Sequence, residues 1–579
     1  SFYLLTGAGQ IARNGDEIIR LIVNNAKWVF LLALPVILYF FFFRKSLSQL
    51  GDKKTEGIKL CGLASLFFLV LHYSMGAFPP QEKRISDLYF YTNPLVETTR
   101  EFGLVSSLGI DLRQRIFGEP IPKELIKEEK YEDKYIEEGK AEEIFYHENI
   151  PLEKELVQEE IVIEPQILDI DFKALEKQRE SETLALLDGY FAFLEPSYSN
   201  EYTGIFEGYN LIFITAESFW WPAVDQELTP TLYQMIHQGI HLENFYNPIW
   251  TVSTYDGEYV GLTGLLPKDG VWSLYRAAFN FSPQSLGWRM DAANYNCYAY
   301  HNHTYTYYDR HESHPNLGYD YKGLGSGVDV QVQWPGSDLE MMEITMDEFL
   351  DKEPFHVYYL TVSGHGAYSF SGNAMANKNK AYVEELDLSE EAASYIAANM
   401  ELEHALSYLL ARLEEEGLAE RTLIVLNPDH IPYSLSEEAM EELAGSFSRE
   451  IDRYRSHGII YTPNMEGIEI KKPVSSLDLL PTVYNLLGLS YESRLIIGRD
   501  VFSEQGLVIF YNRSWLSEKG YYNSRSEKFE SMVEEEIPEG YVDKINQEVK
   551  EKFYFSGLLL EEDYFSYLPE KAFSFQKKE

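Results

Sequence analysis

From residue 210 onward, short apolar runs recur along the chain, and each is bounded by polar or glycine-containing sequence. The first run, Leu211-Ile212-Phe213-Ile214-Thr215, is continuous instead of alternating, which is typical of a strand buried on both faces of a sheet. Comparable runs lie at 297–300, 357–362, 423–426, 458–461 and 507–511. Segments with helical periodicity lie between several of these runs, and strands that alternate with helices predict an α/β domain.

Three of the intervening segments carry the clearest helical pattern. Residues 229–239 have Pro230 in the first turn and Gly239 at the end, which are common start and stop residues of a helix. Residues 395–417 also end on a glycine, and residues 476–489 form the third predicted helix. These helices would supply the connections between the strands.

Two apolar stretches near the start of the chain, at 26–43 and 60–78, approach the ~20 residues that a helix needs to cross a bilayer. We predict two transmembrane helices there; a pair of buried core helices is the alternative. The connection between them is positively charged through Arg44, Lys45, Lys53, Lys54 and Lys59. The positive-inside bias places this connection in the cytoplasm and everything after the second helix outside the cell. Because the chain opens at Ser1 without a signal peptide pattern, we expect earlier residues, including further spans, to precede it.

The composition changes again after the second apolar stretch. Residues 81–209 are rich in Glu and Lys, which predicts an acidic juxtamembrane stalk or linker in place of a packed core. A catalytic domain is predicted over 210–525, and 526–579 form an acidic C-terminal extension. The chain is thus expected to be a multi-pass protein of the cell membrane with an extracellular domain.

Charge and cysteine content narrow the classes of function. The 92 Asp and Glu residues outnumber 49 Lys and Arg residues, giving a net charge of -43, which repels polyanions and argues against nucleic acid as a partner. The two cysteines, Cys61 and Cys297, provide neither a disulfide framework nor a cysteine-based zinc cluster. Any metal site must therefore use oxygen and imidazole ligands.

Polar residues follow the apolar runs at the points where ligands collect in α/β sheets. Glu217 follows the first run, His301 and His365 follow two others, and Asp429-His430 follow the run at 423–426. Carboxylate and imidazole groups suit a divalent cation such as Mg²⁺, Mn²⁺ or Zn²⁺, which can polarise a phosphoryl oxygen. Taken singly, each residue also has a structural explanation: a helix cap, a core histidine or a turn.

A nucleophile for such a site is offered by the hydroxyl residues of one loop. Ser253 and Thr254 lie in the segment Trp250-Thr251-Val252-Ser253-Thr254-Tyr255-Asp256-Gly257-Glu258. A hydroxyl held against a metal ion becomes a competent attacking group. The spacing alone leaves open which of the two residues attacks.

At this level of detail the sequence resembles a known family. The motifs that carry the resemblance are Asn210-Leu-Ile-Phe-Ile-Thr-Ala-Glu217-Ser218, Leu228-Thr-Pro-Thr-Leu, Glu243-Asn-Phe-Tyr, Thr254-Tyr-Asp-Gly-Glu-Tyr, His301 to Arg310, Leu360-Thr-Val-Ser-Gly-His365, Asn427-Pro-Asp429-His430 and Ser475-Ser-Leu-Asp-Leu-Leu-Pro-Thr-Val. They are similar to those of lipoteichoic acid synthase-like proteins in the alkaline phosphatase and sulfatase superfamily, from residue 210 to the low 520s. The resemblance implies a three-layer α/β domain with a central, mostly parallel sheet.

The same resemblance implies a role for each matching residue. Glu217, Thr254, Asp429 and His430 match the family's metal ligands, and Thr254 is also its nucleophile. The implied cofactor is one divalent metal, with Mn²⁺ as the first expectation and Mg²⁺ or Zn²⁺ as alternatives.

Substrate-binding roles are implied for three further residues. His365 matches a residue that contacts the substrate phosphate, while His301 and Arg310 match residues near the polar headgroup. The chain departs from the family at three nearby positions, where it carries His303 for an acid, Tyr308 for a tryptophan and Ser253 for a lysine. These departures concern the headgroup and leave the reaction type unchanged.

The activity implied by the resemblance is transfer of glycerophosphate from phosphatidylglycerol to a growing lipoteichoic-acid-type polymer through a phospho-threonine intermediate. A membrane phospholipid and a glycolipid or polyglycerolphosphate acceptor would be the partners. Arylsulfatase chemistry is disfavoured because the sequence after Thr254 lacks the Pro and Arg that accompany a modified Cys or Ser. The alternatives are transfer or hydrolysis of another headgroup such as phosphoethanolamine, and an inactive membrane scaffold that binds lipid or polymer.

Overall fold

The computed structural model describes residues 163–503 and 505–574 of the chain. The predicted membrane helices at 26–43 and 60–78, and most of the predicted stalk, lie outside the described residues. Within the described ranges, no helix has both the length and the apolar character required to cross a bilayer.

Strands and helices are numbered here in chain order, and short 3-10 turns are left out. The strands are β1 Asn210–Ala216, β2 Ile240–Tyr246, β3 Asn296–Thr304, β4 Asp320–Leu324, β5 Phe355–Leu360, β6 Thr422–Pro428, β7 Arg455–Ser456, β8 Ile459–Tyr461, β9 Ile468–Ser475, β10 Leu507–Ile509, β11 Trp515–Ser517, β12 Gly520–Asn523 and β13 Lys528–Ser531. The helices are α1 Phe172–Gln178, α2 Glu182–Phe193, α3 Pro230–Gln238, α4 Ser253–Thr263, α5 Ser273–Ala277, α6 Leu286–Ala292, α7 Arg310–Asn316, α8 Asp338–Thr345, α9 Ala374–Lys378, α10 Glu390–Glu415, α11 Glu437–Ala444, α12 Ser476–Leu486, α13 Tyr541–Glu561 and α14 Glu570–Phe573.

The main sheet has nine strands and is mostly parallel. Its order is β4-β3-β5-β1-β6-β8-β2-β7, and β9 lies beside β2. Strands β4, β3, β5, β1 and β6 run parallel to one another, whereas β8 is antiparallel to both of its neighbours. The predicted α/β class with a central parallel sheet is confirmed.

A second, antiparallel sheet is formed by β10, β11, β12 and β13. The apolar run at 507–511, which we grouped with the strands of the α/β sheet, belongs to this smaller sheet and not to the main one. That part of the prediction was wrong because a short apolar run indicates a buried strand without indicating its partner.

The central strands are buried along their whole length. Every residue of β1, β5 and β6 is buried, as expected of strands covered on both faces. Ile212 and Ile214 of β1 pack into one hydrophobic core with residues of α10. On the opposite face Gly261 of α4 approaches the ring of Phe213. Helices therefore cover both faces of the sheet, which gives three layers.

The described end of the predicted stalk, residues 163–209, contains α1 and α2. The buried carboxylate of Asp188 accepts hydrogen bonds from Arg179 Nε at 2.5 Å and from Tyr564 Oη at 2.7 Å. The ring of Tyr190 stacks on that of Phe555 of α13, with 3.6 Å between centroids. These contacts join the described end of the stalk segment to the C-terminal extension. The domain boundaries at 209 and 525 stay predictions.

Candidate active site

Two neighbouring strands deliver the acidic residues of the site. In the pairing of β1 with β6, Ala216 lies opposite Pro428, so Glu217 and Asp429 directly follow the last paired residues. Strand β5 pairs with the other side of β1, and the chain turns from its end towards His365. The parallel register therefore brings these side chains to one edge of the sheet.

Thr254 reaches the same place from the first turn of α4. Its Oγ1 atom lies 3.1 Å from Glu217 Oε2, to which it donates a hydrogen bond, and 3.2 Å from His430 Nε2. His430 Nε2 is also 3.2 Å from Asp429 Oδ2. The structure thus brings together all four residues that were predicted as metal ligands.

Two glycines that sequence reasoning missed allow the segments carrying these ligands to pack closely together. A Cβ atom on Gly257 of α4 would lie 2.6 Å from the carbonyl oxygen of Asp429, and one on Gly364 would lie 2.2 Å from that of Glu217. Any larger residue would separate the segments that carry the ligands. A glycine inside a helix, as at 257, is the signal that could have revealed one of them.

The two buried carboxylates oppose each other electrostatically. Burial, together with the charge of Glu217, raises the pKa of Asp429 well above its ordinary value. Burial also acts against the charge of Glu217, but His430, His365 and the Ser218 hydroxyl outweigh it and leave its pKa lowered. Asp429 Oδ1 accepts from the backbone N–H groups of Ser218 and His430, at 2.8 and 2.7 Å. Its buried Oδ2 accepts no hydrogen bond from the described residues.

The donor set fits one divalent cation. One ligand atom each from Glu217, Asp429 and His430 lies within 4.8 Å of the others, and all three residues are buried. His430 Nδ1 lies 2.9 Å from the carbonyl oxygen of Ile431, which requires a proton on Nδ1 and leaves the lone pair on Nε2. Burial lowers the pKa of His430, which favours this neutral form. A cation here would compensate both carboxylates and engage the unsatisfied Asp429 Oδ2.

Arg310, predicted to bind substrate, is almost completely buried. Its Nε and Nη2 atoms donate to Glu258 Oε2 at 2.9 and 2.6 Å. Glu258 lies on α4 one turn after Thr254, and its Oε1 atom is 3.3 Å from His314 Nε2. Burial works against the charge of Glu258, yet Arg310 and His314 keep its pKa below the ordinary value. The Nη1 atom of Arg310 has no hydrogen-bond partner among the described residues.

His301 and His365, the two histidines predicted to bind substrate, lie near the partly exposed Trp334: His365 contacts its ring directly, and His301 stacks on His303, which also contacts that ring. The Nδ1 atom of His301 is 3.0 Å from the carbonyl oxygen of Leu360. Burial, and then the charge of Arg310, hold the pKa of His301 well below its ordinary range, so its ring is neutral and Nε2 is a hydrogen-bond acceptor. The ring of His365 is 4.8 Å from that of Trp334.

The rest of the pocket is aromatic, including two of the departures from the family. His303 is 5.1 Å from Trp334 and 4.4 Å from Tyr307, centroid to centroid. Tyr308 stacks on Tyr255 at 5.0 Å. Sequence reasoning missed Trp334, which lies 24 residues beyond the motif at 301–310, because no local pattern links its loop to these side chains.

The chain is similar to known proteins in sequence and in fold. Residues 209–489 match the sulfatase family. The chain is 23% identical to lipoteichoic acid synthase 2 of Bacillus subtilis over 399 residues, which cover 65% of this chain and 60% of that protein. It is 25% identical to lipoteichoic acid synthase of Staphylococcus saprophyticus over 329 residues, which cover 53% and 49% of the two chains.

Residues 209–489 form a domain of the sulfatase family, which belongs to a superfamily of metal-dependent enzymes, and the chain is similar to its lipoteichoic acid synthases. The predicted family is therefore confirmed. The crystal structure of the lipoteichoic acid synthase LtaP from Listeria monocytogenes has the same fold, with a TM-score of 0.54 and 20% identity over 62% of this chain and 94% of that one. The match spans 60% or less of the length of the two curated relatives named above.

Proposed function

We propose that this protein is a membrane-anchored phosphotransferase that moves glycerophosphate from phosphatidylglycerol to a growing lipoteichoic-acid-type polymer. The observation that carries the proposal is the Thr254 hydroxyl, held 3.1 Å from Glu217 and 3.2 Å from His430 beside the buried carboxylate of Asp429. A threonine hydroxyl next to such a ligand set has the surroundings of an activated nucleophile. The names of the matched relatives point to glycerophosphate polymer synthesis as the setting.

Glu217, Asp429, His430 and Thr254 would hold the cation, for which Mn²⁺ is our first choice. Mixed carboxylate, hydroxyl and imidazole ligands suit Mn²⁺, Mg²⁺ and Zn²⁺. When bound, the cation would lower the pKa of the threonine hydroxyl and offset negative charge on the phosphoryl oxygens.

The residues then divide the reaction between them. Thr254 Oγ1 attacks phosphorus and its proton passes towards Glu217 Oε2, while the bond from phosphorus to the diacylglycerol oxygen breaks and that oxygen takes up a proton, so that diacylglycerol leaves as an alcohol. His365 contacts the phosphate, whose negative charge it helps to stabilise. In a second step a hydroxyl of the acceptor attacks the phospho-threonine and regenerates Thr254. The neutral His301 offers Nε2 as an acceptor for a hydroxyl of the glycerol headgroup.

The arrangement along the chain supports the same proposal. Two transmembrane helices at 26–43 and 60–78, followed by a stalk, would hold the domain on the outer side of the membrane. Tethering raises the effective concentration of the site for lipid donors in that membrane. The donor and the polymer end would then meet at the same surface.

The proposal is tested with purified protein, Mn²⁺ and fluorescently labelled phosphatidylglycerol. We expect the native chain to release diacylglycerol and to carry a glycerophosphate adduct on the peptide that contains Thr254. Thr254→Ala should release no diacylglycerol. Thr251→Ala is the matched control, because this exposed threonine lies three residues before the nucleophile, ahead of α4. Release by Thr254→Ala would refute the assignment of the nucleophile. Release of diacylglycerol from labelled phosphatidylethanolamine alone would show that the transferred group is phosphoethanolamine and not glycerophosphate. No release from either lipid would favour the inactive scaffold.

A further inference from the structure

Tyr433 occupies an unusual position at the mouth of the site. Its side chain is 51% exposed, yet both its hydroxyl and its ring contact residues of the site. The phenol oxygen lies 3.0 Å from Ser253 Oγ, and the ring centroid lies 4.8 Å from that of His430. His430 Nε2 is itself 3.2 Å from Thr254 Oγ1. Tyr433 therefore contacts both His430, which lies beside the Thr254 hydroxyl, and Ser253, which precedes Thr254 in the chain.

Ser253 holds its place in this contact with a strained backbone. Its φ angle is +41°, in the left-handed region that residues other than glycine rarely adopt. Outliers of this kind gather at functional sites, where the surrounding structure maintains them. Here the conformation accompanies a serine hydroxyl directed at Tyr433, immediately before Thr254.

The charges of the site explain why a neutral hydroxyl would be useful at this position. Glu217 and Asp429 are both buried carboxylates, and the guanidinium of Arg310 is already paired with Glu258. A phosphate anion at Thr254 consequently needs donors on the side away from the carboxylates. A tyrosine hydroxyl ordinarily carries its proton near neutral pH, so Tyr433 can act as a donor there. A hydroxyl that donates to a charged oxygen makes one of the stronger hydrogen bonds in proteins.

We propose that Tyr433, oriented by Ser253, contacts the substrate and donates a hydrogen bond to a non-bridging oxygen of the phosphate held at Thr254. The assignment rests on the proposed function, because it requires a phosphate at that position. It adds a donor that none of the sequence motifs singled out. It also gives the serine before the nucleophile a role in place of the lysine expected there.

Binding of inorganic phosphate in the presence of Mn²⁺, measured by calorimetry, tests this contact directly. We compare the native chain with Tyr433→Phe, Ser253→Ala and the double variant, and we follow the melting temperature and Mn²⁺ affinity of each. Tyr382→Phe is the matched control, since that tyrosine is 52% exposed and its ring lies against His404, away from the site motifs.

We expect Tyr433→Phe to weaken phosphate binding and to lower kcat on labelled phosphatidylglycerol by about 10- to 100-fold, the effect of losing one hydrogen bond to a charged group, with melting temperature and Mn²⁺ affinity unchanged. The double variant should be no worse than Tyr433→Phe alone, because the two hydroxyls act as one unit. Phosphate affinity of Tyr433→Phe within twofold of the native chain overturns the inference. So does a loss that comes with a lower melting temperature or weaker Mn²⁺ binding, or an absence of phosphate binding by the native chain. Native protein that binds phosphate but leaves phosphatidylglycerol intact would refute the proposed function instead.

Discussion

The buried ion pair between Glu258 and Arg310 gives the sharpest stability prediction for this fold. Side-chain exposure is 0% for the glutamate and 1% for the arginine, and the closest N–O distance is 2.6 Å. Glu258→Gln keeps the shape of the side chain but leaves the arginine charge buried without a counter-charge. Removing one partner of such a pair costs about 3 to 5 kcal/mol.

The size of the domain converts this cost into a measurable shift. Since the entropy of unfolding is about 2 cal/mol/K per residue, a cooperative unit of about 400 residues should melt roughly 4 to 6 °C lower. Glu437→Gln is a suitable control, because Glu437 pairs with Arg453 at 3.0 Å but is 66% exposed. An exposed pair of this kind contributes about 0 to 1 kcal/mol, so the control should melt within roughly 1 °C of the native chain.

A double-mutant cycle separates the buried charge from other effects of the substitution. Glu258→Gln combined with Arg310→Gln removes both charges, so the double variant should lose less stability than the sum of the two single variants. Thermal melts and urea titrations of the four proteins supply the cycle. Strict additivity, or a melting temperature of Glu258→Gln equal to that of Glu437→Gln, would refute the reasoning.

Three further predictions follow from other buried groups. Mn²⁺ at 100 times its Kd should stabilise the native chain by about 2.7 kcal/mol in thermal melts, and an equal shift in Asp429→Asn would contradict the assigned ligand. Burial lowers the pKa of His356 to about 3. The free energy of unfolding of the native chain should therefore fall as pH drops below ~6.5, by ~2 kcal/mol at pH 5. His356→Phe should be less stable at neutral pH because it removes the hydrogen-bond partner of the Tyr319 hydroxyl. In urea titrations this variant should lack the loss of stability between pH ~6.5 and 5. Parallel pH curves would contradict this. Asp188→Ala should lower the urea midpoint by the equivalent of about 3 kcal/mol because it leaves the guanidinium of Arg179 without its carboxylate, and an unchanged midpoint would count against that contact.

The central strands could be predicted because burial on both faces leaves a continuous apolar sequence. The same rule explains which strands were missed. Strand β2 mixes buried and partly exposed residues, the first five residues of β9 are partly or fully exposed, and both strands carry charged side chains. They lie beyond the antiparallel β8, where the sheet is less completely covered, and no continuous apolar run marks them. Helix α10 begins at Glu390, earlier than predicted, because Ser389 caps it by accepting from the N–H of Ala392.

The site divides in a similar way. Glu217, Asp429 and His430 could be selected from sequence because they directly follow predicted strands, where a parallel sheet gathers its functional groups. Residues whose role depends on contacts between segments far apart in the chain have no such local sequence signal. The contact of Tyr433 with Ser253 depends on how one loop folds over the start of α4, and Gly364 depends on the distance between two backbone segments. The resemblance to the family supplied Thr254 as the attacking residue, which spacing alone left undecided between two hydroxyls.

Helix α4 links the two halves of the site, which explains why its sequence contains so many functional groups. Residues four apart lie on the same side of a helix, so Thr254 and Glu258 face one side together. The first meets Glu217 and His430, and the second holds Arg310, which lies 5.3 Å from the ring of Tyr308. Gly257 lets this helix approach the backbone of Asp429, so the position of α4 sets the distance from nucleophile to ligands and the placement of Arg310 at once. His303 and Tyr308 differ from the family in the lining of the site, and the ring of Tyr308 stacks on Tyr255 of α4. On the proposed function, these two departures would alter contacts with the headgroup, while Gly257 sets the distance from Thr254 to its neighbours.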